Sequence, residues 1–257
     1  MHKTSRVAGT KFRMRALFSS VIFLAAVLAL AAGEVRTASP EQDGIAVAII
    51  YDTSGSMRES VRDANGKPSP KYRIANRALA SIVDRIQMFA ASPAGANGPR
   101  KINCGLFVFS GRGAQEAVKF GPFNAEAFHA WLRNYSGPDS ATPLGTTIDL
   151  ASRTLMKSKF TRKHLVVLTD GINTSGPDPA VVIPKIKAEA ARQNTGISFH
   201  FVAFDVDAKV FAPLKNLGAT VVGATDERQL NGQLEFIFEK KILLEEEEPR
   251  PADTKPK

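Results

Sequence analysis

Oxygen-bearing side chains alternate along a short turn that directly follows an apolar run. The run at residues 45–50 carries almost no polar side-chain atoms, and the residues after it include Asp52, Ser54 and Ser56. Alternate residues of an extended stretch point the same way, so a slight curl gathers one carboxylate and two hydroxyls round a common point. Oxygen-only ligand sets are preferred by hard divalent cations such as magnesium rather than by zinc or copper. The turn is therefore a candidate metal site.

Two further oxygen donors lie beside other predicted elements. Asp170 comes directly after the apolar run at 164–169, and Thr142 opens a Thr-Pro-Leu-Gly-Thr sequence ahead of a predicted helix. In open α/β sheets, ligands bind beyond the carboxyl ends of the strands, at the point where the strand order reverses. If strands 45–51 and 164–169 are neighbours, Asp52 and Asp170 face each other there, and the Thr142 hydroxyl reaches the same place.

The elements that must position these residues follow from hydrophobic patterns. Apolar runs with little alternation predict buried parallel strands at 45–51, 102–109, 164–169 and 197–204. Helical spacing predicts helices at 73–91, 124–134, 143–159, 179–193, 208–217 and 226–244. A segment at 115–120 follows its predecessor too closely for a parallel crossover, which predicts an antiparallel hairpin at a sheet edge, and 221–222 predict a last short strand. The predicted fold class is α/β: a doubly wound, mostly parallel sheet with one antiparallel edge strand and helices on both faces.

The order of these motifs resembles that of the von Willebrand factor A domain family, over about residues 44–240. That family carries a metal-ion-dependent adhesion site made of Asp-x-Ser-x-Ser, a Thr in a later loop and an Asp after a central apolar strand. The matching positions here are Asp52, Ser54, Ser56, Thr142 and Asp170. An insert at 58–70 lengthens the path to the first helix and bears on partner specificity. Ser140 and Ala141 stand where the family often has a Gly pair.

The resemblance implies a Rossmann-like fold, a bound magnesium ion (with manganese or calcium as alternatives) and no catalytic residue. It implies direct coordination by the hydroxyls of Ser54, Ser56 and, in the active arrangement, Thr142, with Asp52 and Asp170 acting mainly through bound water or exchanging places with Thr142. Neutral direct ligands leave the charge of the cation undercompensated. A carboxylate from a partner protein is then expected to complete the coordination shell, as in an adhesion-type interaction module.

The first 33 residues have the pattern of a secretory signal peptide. Five basic and no acidic residues precede or flank the apolar run 16–32, and small residues cluster at its end. The run spans about 17 residues, at the lower limit for crossing a bilayer, so an uncleaved membrane anchor is the alternative. Either reading places the rest outside the cytoplasm, in the periplasm or the extracellular space. Residues 34–43 are a predicted linker, 44–244 the A domain, and 245–257 a disordered tail rich in charge and proline.

Composition narrows the function further. The formal net charge is +9, but the 34 basic residues less the five of the signal segment leave 29 against 25 acidic residues, or +4. No basic stripe interleaved with aromatics predicts nucleic-acid binding. Cys104 is the only cysteine and cannot form an internal disulfide; its apolar neighbours predict a buried thiol. His129, His164 and His200 fall in separate elements without close partners in the sequence, and are predicted to be structural.

Other functional classes explain part of the pattern. The sequence Ile-Tyr-Asp-Thr-Ser-Gly-Ser at 50–56 resembles an aspartic-protease loop, which leaves an exported hydrolase using Asp52 and Asp170 as one alternative. Ser54 interrupts that motif, however, and neither a second copy nor a Gly-x-Ser-x-Gly elbow is present. A metal-independent structural envelope protein is the other alternative. In that reading the Asp-Ser-Gly turn serves only the backbone, and Thr142 with Pro143 starts a helix as N-cap and first residue.

Overall fold

The computed structural model describes residue 2 and residues 42–92 and 100–244. The predicted signal segment, most of the predicted linker and the predicted tail lie outside these residues. The strands are β1 (Gln42–Tyr51), β2 (Ser60–Arg62), β3 (Pro68–Pro70), β4 (Ile102–Ser110), β5 (Gly113–Pro122), β6 (Phe160–Thr169), β7 (Ser198–Phe204) and β8 (Thr220–Ala224). The helices are α1 (Lys71–Ala91), α2 (Ala125–Asn134), α3 (Leu144–Met156), α4 (Pro179–Arg192), α5 (Ala212–Asn216) and α6 (Glu227–Glu235). Single 3-10 turns lie at Gly55–Arg58 and Ala208–Phe211, and a π-helical stretch, Phe236–Leu243, continues α6.

Six of the strands form one sheet in the order β5-β4-β1-β6-β7-β8. Strand β1 pairs in parallel with both β4 and β6, and the pairs β6–β7 and β7–β8 are also parallel. Strand β5 is antiparallel to β4 at the sheet edge. The prediction of a doubly wound, mostly parallel sheet with an antiparallel edge strand is therefore confirmed. Because the order reverses between β1 and β6, their carboxyl ends form the predicted crevice.

The two faces of the sheet bury separate apolar layers. Along β1, Val47, Ile49 and Tyr51 pack with α1, α2 and α6, whereas Ala48 and Ile50 pack with α3 and α4. A central strand covered by helices on both sides has no solvent face, which explains why β1 is apolar without alternation. The helices that follow β1 and β6 lie on opposite faces, so the loops leading to them diverge and leave room between them.

The insert at 58–70 is an ordered hairpin rather than an irregular loop. Strands β2 and β3 pair antiparallel in a separate two-stranded sheet. The tip is fastened to the start of α6, because the Ala64 N–H donates to Glu227 Oε2 at 2.8 Å and Arg228 donates to the Ala64 carbonyl. Arg77 of α1 forms a two-point ion pair with the same Glu227, at 2.7 and 2.8 Å.

Several local predictions need correction. Pro143 rather than Thr142 is the N-cap residue of α3, and the side-chain oxygen that caps this helix end is that of Asn173, which accepts the Gly145 N–H at 3.2 Å. The helix predicted to reach residue 159 ends at Met156, because β6 starts four residues earlier than its apolar run indicates. Strand β1 begins at Gln42, inside the predicted linker.

The histidines have close partners in the fold, although they lie in separate elements of the sequence. His164 Nδ1 and His200 Nε2 lie 3.3 Å apart on β6 and β7, with both side chains buried, and His129 Nε2 lies 2.9 Å from Asp84 Oδ1. Cys104 is buried as predicted, and its burial raises the pKa of the thiol to about 12. Within the described ranges, none of the helices combines the length and hydropathy of a membrane span.

Candidate metal site

Asp52 is fixed at the junction of β1 and β6. Its side chain is buried; Oδ1 accepts the Ser54 N–H at 2.7 Å and Oδ2 accepts the Thr169 hydroxyl at 2.5 Å. Thr169 is the last residue of β6, and the Asp52 N–H donates to the Leu168 carbonyl of the same strand at 3.0 Å. The strand pairing thus places Asp52 beside Asp170, as the crevice rule predicts.

The two serines turn inward towards Asp170. The 3-10 turn at Gly55–Arg58 bends the chain directly after β1. As a result, the Ser54 and Ser56 hydroxyl oxygens lie 3.1 Å apart, and the Ser56 hydroxyl donates to Asp170 Oδ1 at 2.8 Å. Residues 114 positions apart in the chain are therefore in direct contact.

Thr142 reaches the site on a third loop. That loop is joined to the first by hydrogen bonds from the Gly55 N–H to the Ser140 carbonyl and from the Ser140 N–H to the Thr53 carbonyl. Thr142 is 5% exposed, and its hydroxyl lies 4.0 Å from the position that a Cβ on Gly171 would take. The structure thus brings three loops, with all five predicted residues, to one edge of the sheet.

The two buried carboxyls of the site favour a cation. Burial, and secondly the nearby charge of Asp170, raise the pKa of Asp52 from 3.8 to about 6. A divalent cation would relieve this cost, since it favours the charged form of both carboxyls. The residues described include no group of three or more His, Cys, Asp or Glu side chains arranged to hold a metal. A metal at this edge would therefore depend on serine and threonine hydroxyls together with the two aspartates, a donor set that fits magnesium.

Lys71, which the sequence analysis did not identify, is part of the same cluster. It is the first residue of α1 and is 2% exposed, and its ammonium lies 2.8 Å from Asp170 Oδ2. The ammonium also lies 2.9 Å from Glu59 and 3.3 Å from Asp205. A cation at a helix N-terminus opposes the helix dipole, and the first turn of α1 holds no acidic residue. That mismatch is the signal in the sequence that could have predicted a carboxylate partner for Lys71.

Gly145, near the start of α3, allows the Thr142 loop and the loop after β6 to approach each other. A Cβ on Gly145 would lie 2.0 Å from the Pro177 carbonyl oxygen. We expect Gly145→Ala to lower the free energy of unfolding by about 2 kcal/mol, because backbone must move to admit the methyl group. Urea denaturation measures this. Gly232→Ala in α6, where nothing lies within 4 Å, is the control and should be neutral or stabilising. Equal effects of the two substitutions would contradict the packing argument.

Comparison with known proteins identifies the family. The family model for the von Willebrand factor type A domain matches residues 46–233. A search of curated protein sequences gives no significant match. Among solved structures, the von Willebrand factor domain of the type V pilus tip protein Mfa5 from Porphyromonas gingivalis is similar at 11% identity, with a TM-score of 0.58. The alignment covers 83% of this chain and 99% of that one.

Two other solved structures share the fold at low identity. The PilB minor pilin from Streptococcus sanguinis has 16% identity and a TM-score of 0.56, over 79% of this chain and 62% of that one. Proximal thread matrix protein 1 from the mussel byssus, solved with a zinc-occupied MIDAS motif, has 17% identity and a TM-score of 0.54. The alignment covers 78% of this chain and 48% of that one. The chain thus spans less than two thirds of either protein. With the family model covering most of the sheet and its helices, this chain belongs to the von Willebrand factor type A domain family.

Proposed function

We propose that this protein is an exported interaction module that binds a divalent cation, magnesium, and docks a carboxylate of a partner protein on it. The proposed metal-binding residues are Asp52, Ser54, Ser56, Thr142 and Asp170. The observation that carries the proposal is the contact between the Ser54 and Ser56 hydroxyls, together with the hydrogen bond from the Ser56 hydroxyl to Asp170 across the ends of two strands. A bound cation would supply an open coordination position for an external anion.

The hydrogen bonds of the two aspartates support an indirect role for them. Asp52 already accepts the Ser54 N–H and the Thr169 hydroxyl, one at each carboxylate oxygen. Asp170 accepts Ser56 at one oxygen and faces Lys71 at the other. Both carboxylates are therefore held in place, which favours contact with the cation through water and leaves direct coordination to the neutral hydroxyls.

The same hydrogen bonds disfavour the hydrolase alternative. An aspartic dyad works because its two carboxyl groups share one proton. Asp170 instead makes an ion pair with the Lys71 ammonium, at 2.8 Å, and Asp52 is held by Thr169. The pair is thus arranged as two separately fixed charges rather than as a proton-sharing dyad.

Export is supported by the signal-type pattern of residues 1–33, and a retained segment would anchor the domain on the outer side of the membrane. The fold likeness to a pilus tip protein and a minor pilin agrees with an extracytoplasmic role. The intact mass of the protein recovered from the envelope distinguishes a cleaved from a retained segment.

Titration of the full-length protein with magnesium or manganese tests the metal site. We expect saturable binding by calorimetry, and a loss of affinity of at least about tenfold in Ser54→Ala, because one direct ligand is removed. Ser81→Ala, on the exposed face of α1, removes a hydroxyl away from the site and should leave affinity unchanged. Binding that is equal in wild type and Ser54→Ala would exclude the proposed site.

An exposed apolar rim beside the site supports a protein partner. Ile172, two residues after Asp170, is 56% exposed and, with Leu144 and Val210, lines a surface cavity of about 220 Å³. We expect Ile172→Ser to reduce capture of the EDTA-sensitive partner from envelope extract at least about fivefold, since apolar contact area is lost, while manganese affinity stays unchanged. Val181→Ser on α4, also about half exposed, is the control. Capture that survives chelation, or that falls equally in both variants, would contradict carboxylate docking at this rim.

A further inference from the structure

Lys71 places a permanent positive charge inside the proposed metal site. Its side chain is 2% exposed, and its ammonium lies 2.8 Å from an Asp170 side chain that is 0% exposed. The other two carboxylates in contact with it face solvent, since the side chains of Glu59 and Asp205 are 69% and 39% exposed. Water screens Glu59 and Asp205, so the buried charge balance is set mainly by Lys71 and Asp170.

The insert hairpin holds this ammonium in position. Strands β2 and β3 begin one residue after Glu59 and end one residue before Lys71. The Lys71 N–H donates to the Glu59 carbonyl at 2.8 Å and closes the base of the hairpin, while the Glu59 carboxylate contacts the Lys71 ammonium. The backbone of Lys71 is thus fixed by the hairpin and by the first turn of α1, and the buried side chain keeps its ammonium beside Asp170 and Glu59.

The charge balance has a direct consequence for binding. Asp52 and Asp170 together would neutralise a divalent cation, because the hydroxyl ligands are uncharged. Lys71 offsets one of these two negative charges, so the occupied site carries a net positive charge. Such a site binds the cation more weakly than an otherwise equal neutral site, and attracts an external anion more strongly.

We propose that Lys71 is the residue that sets the anion preference of this site, lowering its affinity for the metal and raising its affinity for a carboxylate ligand. The proposal rests on the proposed function, since it concerns the same cation. It assigns the hairpin a role as well, because the hairpin fixes Lys71.

Charge variants of the full-length protein test the proposal with manganese and acetate as probes. Manganese affinity is measured by calorimetry, and acetate affinity by titration of the manganese-saturated protein, followed through water-proton relaxation. We expect Lys71→Met to bind manganese about tenfold more tightly and acetate about tenfold more weakly. Lys71→Arg keeps the charge and should restore both affinities towards the wild-type values. A purely structural role would instead weaken both.

A second variant should shift both affinities in the opposite directions, and it tests the proposal if Lys71→Met does not fold. Glu59→Gln with Asp205→Asn removes two negative charges while Lys71 stays; Asn tolerates the positive φ of 55° at position 205. This variant should bind manganese more weakly and acetate more tightly, each by about threefold because the charges are screened.

Failure of the proposal for Lys71 and failure of the metal site itself give different results. If the wild type binds manganese through Ser54 but the charge variants leave both affinities unchanged or shift them in the same direction, the role of Lys71 is wrong and the metal site stands. If neither the wild type nor Lys71→Met binds manganese, the metal site itself is wrong and the proposal for Lys71 falls with it.

Discussion

Lys71→Met is expected to lower the free energy of unfolding of the metal-free protein by about 3–5 kcal/mol, the range found when one partner of a buried ion pair is removed. Methionine preserves the length and the apolar stem of the side chain. It leaves Asp170 fully buried, without its ammonium and facing the Asp52 carboxylate. Urea denaturation in EDTA measures the loss. A saturating divalent cation should recover part of it, by about 2.7 kcal/mol at one hundred times the dissociation constant.

A double variant separates lost charge from lost packing. In Lys71→Met with Asp170→Asn, the uncompensated carboxylate is gone, so the double variant should be more stable than Lys71→Met alone. A well-packed neutral replacement for a buried ion pair is often close to neutral in stability. Lys71→Arg is the control for charge. A loss below about 1 kcal/mol in Lys71→Met, or no recovery in the double variant, would show that the ion pair with Asp170 does not stabilise the fold.

The strands of the sheet and the three loops of the site could be predicted because each is marked by a pattern of neighbouring residues. Apolar runs without alternation identify strands buried on both faces, and β1 and β6 are such runs. Parallel strands bring their carboxyl ends to one edge, so Asp52 and Asp170 follow from the strand assignments alone. The Ser54 and Ser56 contact needed only the curl that a single 3-10 turn provides.

What the sequence did not predict depends on contacts distant along the chain. The hairpin strand β3 reads Pro-Ser-Pro, and proline argues against a strand in any pattern-based reading. It forms here because its partner β2 lies in a separate two-stranded sheet, where proline is tolerated at an edge. The position of Lys71 at the start of α1 signals a carboxylate partner, but the partners come from three separate loops and no local pattern identifies them.

Two local expectations, Thr142 as the cap of α3 and histidines without close partners, were wrong for a related reason. Thr142 does not cap α3, because its N–H and carbonyl are bonded to Thr174 in the loop after β6. His164 and His200 meet because β6 and β7 pair with His164 opposite Ser198 and Val166 opposite His200. Register between strands that are joined through a helix cannot be read from either strand alone.

The second large effect concerns pH. Metal-free protein is expected to lose about 3 kcal/mol of stability between about pH 4 and pH 6 through Asp52 alone. The pKa of Asp52 is raised from 3.8 to about 6 in the folded protein, so the native state holds this proton more tightly than the unfolded chain does. The proton therefore stabilises the fold fully below about pH 4. That contribution is lost as the pH rises through the folded pKa of Asp52, and above this pKa the proton no longer contributes to stability.

A comparison of wild type with Asp52→Asn isolates this contribution. Contributions of the opposite sign come from carboxyls such as Glu227, whose pKa is lowered by the ion pair with Arg77 and whose stabilising effect is lost as the pH falls. These contributions are common to both proteins and cancel in the difference. Urea denaturation in EDTA from pH 4 to pH 7 should show wild type losing stability relative to Asp52→Asn across this window. A difference that is constant with pH would refute the raised pKa of Asp52.

A bound metal should abolish the loss of stability of the wild type with rising pH, because a cation favours the ionised Asp52 carboxyl and lowers the pKa of that carboxyl. Below about pH 6, magnesium must displace the Asp52 proton, so its affinity should rise by up to about tenfold per pH unit and then level off. In the metal-free fold, burial destabilises the charged Asp52 side chain. Cation binding relieves this cost, so it should stabilise the fold most near neutral pH, where Asp52 is charged. If magnesium affinity has no pH dependence between 4 and 6, Asp52 contributes no charge to the site, and the cation would have to be held by Asp170 and the hydroxyls alone.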